Sequence, residues 1–138
     1  MKLSSEHKKL ILEEFDFAIQ KMKESQTQDQ KLFYFSSTYG VLSRIFNIEF
    51  DSELVLIHAV LNNAYTNMLA RFKAIKAGEV AVTFPANYFD KLIDCTEELA
   101  DKIKKDSSLY DTLIKISLLT FVTTGNGAYL LAKGSIIL

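Results

Sequence analysis

Along every long segment of this chain the apolar residues return at intervals of three and four, and little interrupts them: 138 residues contain five glycines and one proline. That spacing gathers side chains on one face of an α-helix, whereas a half-buried strand needs strict alternation. Proline removes a backbone donor and interior glycine costs conformational entropy, so their scarcity leaves long stretches free to be helical. The pattern predicts an all-α fold, a compact bundle of five to six helices in a single helical domain, residues 1–138, with a central hydrophobic C-terminal helix. At this length about two thirds of the surface exposed by the unfolded chain is buried on folding, enough for one core. No internal repeat or low-complexity tract breaks the pattern.

The first helix is expected to start near Ser4 or Ser5, either of which suits an N-cap. It carries Ile11, Phe15, Ala18, Ile19 and Met22 on one side and a second stripe, Leu3, Leu10 and Phe17, which predicts neighbours on two sides. Glu24 to Lys31 is a polar break. A second helix takes Leu32, Phe35, Tyr39, Leu42, Ile45 and Phe46, and its mid-helix Gly40 predicts close approach of another backbone. A third, capped by Asp51 or Ser52, runs from about Ser52 to Ala77 and stops at Gly78, where a left-handed residue costs glycine little. The fourth opens at Thr83 to Tyr88 with Pro85 in its first turn and turns Tyr88, Leu92, Cys95, Leu99 and Ile103 inward, Phe89 and Ala100 lying at the edge. A fifth begins after Asp106, Ser107 or Ser108 and is apolar nearly all round from Ile116 to Val122, which marks it as the central helix. Past a break with Gly125 or Gly127 left-handed, residues 128–138 form a short helix or a tail.

Charge excludes one class of partner. Sixteen basic against seventeen acidic residues leave a net charge of −1, with no excess to neutralise phosphates, so no nucleic acid is expected. Ile116 to Ala132 runs without a charge, near the lower limit for a membrane span, but its centre, Thr123 to Gly127, is polar and glycine-broken; no membrane partner is expected. The single cysteine, Cys95, forms no internal disulfide and belongs to a core stripe, and no secretory leader pattern stands at the N-terminus; the expected location is cytoplasmic.

His58 to Ala70, HAVLNNAYTNMLA, raises the question of a site, because three asparagines fall within six residues of a helix and each is a poor helix former. At about 100° per residue, Asn63 and Asn67 fall on a flank with Leu56, Val60, Ala70 and Ala74, while His58, Asn62 and Thr66 form another line. These amides knit helices together, face water, or line a polar pocket; on the last reading His58, Asn62, Asn63, Thr66 and Asn67 bind a small ligand. Asp90, Asp94, Glu97, Glu98 and Asp101 also recur at three and four. Two carboxylates on adjacent turns can hold magnesium against a phosphate, so a magnesium-dependent nucleotide or phosphate hydrolase using Asp94, Glu97, Glu98 and Asp101 is an alternative. The paired Glu-x-x-Glu upstream is missing, and Lys91, Lys102, Lys104 and Lys105 make a solvated outer face the simpler account. His7 and His58 lack the Glu-x-x-His or His-Glu-x-x-His spacing of a metal site. The Gly125 to Ser135 stretch lacks the glycine and lysine order of a phosphate loop. Arg71, Lys73 and Lys76 form a basic patch where cations favour a helix C-terminus.

No catalytic residue, metal or cofactor is therefore assigned. With 49% hydrophobic residues and ten phenylalanines, the chain has more apolar surface than one small core hides. The expected function is that of a non-enzymatic helical interaction or structural protein acting as a homodimer, whose dimer presents a surface to another protein. Ala70, Ala74, Ile136, Ile137 and Leu138 are the expected contact residues. A small-molecule-binding or sensor domain near His58, Asn62 and Asn63 is the second reading.

Overall fold

The computed structural model describes residues 1–79, 84–124, 127 and 133–134. Those residues are all-helical, in six segments: α1 (Ser5–Glu24), α2 (Gln28–Phe35), α3 (Ser37–Phe46), α4 (Ser52–Lys76), α5 (Tyr88–Lys104) and α6 (Tyr110–Phe121). α1 packs on α5, α5 on α6, α6 on α4, α4 on α3 and α3 back on α1, while α2 lies against α1, α3 and α4. Five helices thus close a ring, and each turns one face inward to a common core that includes Phe15, Met22, Leu42, Leu61, Met68, Leu92 and Ile116.

Local chemistry sets most of the ends. Ser4 caps α1 by accepting the His7 amide, Thr27 caps α2 through Gln30, and Asp51 caps α4 through Leu54. α4 stops as expected at Gly78, whose φ of 73° is left-handed. α5 closes on the same motif with Asp106 at φ 53°, the Ser107 amide reaching back to the Lys102 carbonyl at 3.0 Å.

Several expectations are corrected. The second helix is two, because the chain turns at Ser36, where the Ser36 and Thr38 hydroxyls take the Phe33 and Phe35 carbonyls and compete with the helical ladder. α2 also begins inside the polar break, at Gln28. Gly40 meets no close backbone: a Cβ there would have nothing within 4 Å. Pro85 precedes α5 in a turn closed by the Tyr88 amide on the Pro85 carbonyl, so it is not in the first helical turn. α6 does begin after Ser108, at Tyr110, and has no side-chain cap. Gly127 is needed for space rather than for a left-handed φ, since a Cβ would collide with the Phe121 carbonyl. Cys95 is half-buried, and Thr96, bonded to the Leu92 carbonyl at 2.7 Å, is the buried residue beside it. Arg71 is buried rather than part of an open basic patch. The proposed sixth helix or tail, the left-handed Gly125 and the Thr83 start of the fourth helix lie outside the described residues.

The central position expected of the C-terminal helix holds for one face only. Leu113, Ile116, Leu119 and Thr120 are buried, but α6 is a member of the ring, flanked by α4 and α5, and its other face points out. The second stripe of α1 behaves likewise: Leu10 and Phe17 are each 45% exposed, because α2, α3 and α5 already occupy the inward side.

Candidate interaction surface

In a ring of amphipathic helices the outer faces should be polar. α5 obeys. Glu97 pairs with Lys23 of α1 at 3.0 Å, Asp101 with Lys105 at 3.0 Å, and Glu98 with Lys115 of α6 at 2.9 Å. Glu98 also accepts the Thr112 hydroxyl at 2.8 Å. The Lys115 ammonium and then the Thr112 hydroxyl hold the Glu98 carboxyl below its ordinary range, and Glu98 in turn raises Lys115. The acids of the hydrolase alternative thus run along the outside as helix-to-helix and i,i+4 pairs, with Asp94 exposed. Among the described residues no three His, Cys, Asp or Glu side chains converge as metal ligands. Burial pushes the Cys95 thiol up.

The asparagine cluster of α4 is answered by its own helix. Asn67 donates from Nδ2 to the Asn63 carbonyl at 2.8 Å and to Asn63 Oδ1 at 3.0 Å, and the Thr66 hydroxyl donates to the Asn62 and Asn63 carbonyls at 3.0 and 3.1 Å. Asn63 and Thr66 are exposed, and Asn62 and Asn67 are half-buried. His58 stands apart from them, packed edge-on against Phe46 and Tyr39 with ring centroids 5.3 and 5.8 Å away. The structure therefore divides these five residues between an aromatic cluster on the α3 side and an amide ladder on the outer side. Of the expected contact residues, Ala70 is exposed on that outer flank and Ala74 half-buried, while Ile136, Ile137 and Leu138 lie outside the described residues.

α6 breaks the rule. Tyr110, Ile114, Leu118 and Phe121 recur at four, four and three, directly opposite the buried Thr112, Ile116, Leu119 and Thr120. All four are exposed, Ile114 to 66%. One end of this stripe meets the outer flank of α4, where Leu56, Tyr110 and Leu113 line a cleft of about 270 Å³. The spacing was present in the sequence; what hid its meaning is that an all-round apolar helix fits the middle of a bundle as well as an exposed edge. Among the described residues no helix is long and apolar enough to cross a membrane. No family model, curated protein or solved structure matches the chain.

Proposed function

We propose that this protein is a non-enzymatic helical interaction protein that acts as a cytoplasmic homodimer and presents the α6 face to another protein. The observation that carries the reading is the outer stripe of Tyr110, Ile114, Leu118 and Phe121. Apolar side chains scattered singly over a surface are ordinary, but a contiguous row opposite a helix's core face is the pattern of a surface that a partner covers. Tyr110 and Phe121 supply the rigid aromatic anchors in which binding energy concentrates. Recognition by one apolar helix face asks for an amphipathic partner helix or groove rather than a charged ligand.

The test places a photo-crosslinking phenylalanine analogue at position 114 in living cells. The expected result is one discrete adduct with a different protein, lost when Leu118→Glu is added. A self-adduct of twice the chain mass would assign this face to the homodimer instead, and no adduct at all would refute the reading.

A further inference from the structure

A second apolar surface lies on the other side of the ring, where α1 and α3 cross. The turn after α3 alternates: Ile48 and Phe50 point to solvent, 77% and 76% exposed, and Glu49 and Asp51 point back at the start of α1. Glu49 accepts the Ser4 amide at 3.0 Å through Oε1 and pairs with His7 Nδ1 through Oε2. Asp51 divides its carboxylate in the same way, one oxygen capping α4 at Leu54 and the other taking the Lys2 amide, both at 3.0 Å. Two carboxylates thus fasten the turn to the first helix, and Phe50 between them, with Ile48 just before Glu49, is displayed on a braced support.

Beside this knob is a hole. The buried Val41 and Ile45 and the exposed Leu10 and Ile48 line a groove of about 240 Å³ between α1 and α3. An apolar cavity of about 150 Å³ accepts a benzene ring, so the groove has room for one phenyl side chain. His7, Glu13, Glu14 and Arg44 also line it; His7 pairs with Glu49 and Glu13 with Lys9, which leaves Glu14 on the α1 wall and Arg44 on the α3 wall outside any ion pair among the described residues. A surface that holds a phenyl knob, a phenyl-sized hole and, outside its own ion pairs, one charge of each sign meets the condition for a two-fold contact, in which the same patch serves both partners.

We infer that the homodimer forms here, with Phe50 of each copy seated in the α1/α3 groove of the other and Arg44 of each facing Glu14 of its mate. Leu10 and Phe17 extend the apolar contact along α1. The inference rests on the homodimer reading and names its interface. It leaves the α6 stripe outward on both protomers, free for another partner.

Sedimentation velocity across a dilution series, with wild type, Phe50→Ser, Arg44→Glu, Glu14→Lys and the Arg44→Glu/Glu14→Lys double variant, tests it. Phe50 is too exposed to be needed for folding, and an unchanged melting temperature checks that. Wild type is expected to be dimeric, and losing an anchoring aromatic should weaken the dimer by more than about thirtyfold. Each single charge reversal should weaken it by about tenfold or more, and the double reversal should restore it. A monomeric wild type would overturn both this interface and the homodimer reading. A Phe50→Ser protein as dimeric as wild type would overturn the interface and leave the homodimer reading standing.

Discussion

Tyr88→Phe removes one oxygen from the closing point of the ring. The Tyr88 side chain is 1% exposed, and its hydroxyl donates to the Leu119 carbonyl at 2.8 Å, tying the first turn of α5 to the last turn of α6. That carbonyl lies in the last turn of α6, where the helical ladder runs out: the Thr123 amide, four residues on, bonds the Thr120 carbonyl instead. Phenylalanine keeps the ring and its edge contacts with Phe84 and Phe89, whose centroids lie 5.0 and 5.4 Å away, so packing is retained. What is lost is a buried hydrogen bond with its acceptor left behind, at a cost of about 1–3 kcal/mol. For 138 residues the unfolding entropy is about 0.3 kcal/mol per kelvin, so melting should fall by about 3–10 °C. Differential scanning calorimetry at pH 7 measures it, with Tyr110→Phe, whose side chain is exposed, as the control expected to stay at the wild-type temperature. A Tyr88→Phe protein that melts within a degree of wild type would refute the claim that this hydroxyl closes α6 onto α5. The same burial raises the Tyr88 phenol above the ordinary tyrosine range, so in an ultraviolet titration one tyrosine should ionise only as the protein unfolds.

Gly40→Ala should stabilise the fold by up to about 1 kcal/mol, because the residue is inside α3 and an added Cβ meets nothing within 4 Å; urea unfolding in the dilute monomer range reports it, and a loss of stability would show that something does approach α3 there. Gly127→Ala should destabilise, since its Cβ collides with the Phe121 backbone carbonyl, and a melting curve equal to wild type would contradict that crowding. Glu98→Gln should lower stability at pH 7 and progressively less in acid. The Glu98 carboxyl is held below its ordinary 4.5, so its contribution is present above that value and disappears as pH falls through the lowered one. Lys115 is raised above 10.5, so the same pair also weakens as pH climbs through the raised value. Melting temperatures of the two proteins from pH 3 to pH 8 should converge at the acid end, and a constant gap would remove the charge from the explanation.

The residues that set the helix ends were readable because their chemistry is local. Ser4, Asp51 and Gly78 act on amides and carbonyls within a few positions of themselves, and all three do what their side chains predict. The break at Ser36 is hidden in the sequence despite the Ser-Ser-Thr run that causes it, because the apolar spacing on either side continues in phase. The core stripe of α5 was legible for the same reason that α5 has a clean charged face: one side alone is apolar, leaving a single way to turn it.

By itself, then, the sequence determined that this chain is helical, where α1 and α4 start and where α4 stops, and which residues of the singly striped helices face inward, since each of these follows from periodicity and short-range hydrogen bonding. Tertiary structure decided everything that depends on who the neighbours are. α1 and α6 each carry two apolar faces, and only closure of the ring selects Ile11, Phe15 and Ile116 for the core and leaves Leu10, Phe17 and Ile114 in the open. The asparagines of α4 bond along their own helix, and Glu49 reaches forty-two residues back to His7, a pairing that no local pattern encodes. Periodicity fixes the angle of a side chain about its own helix axis, but burial is a property of the space between helices.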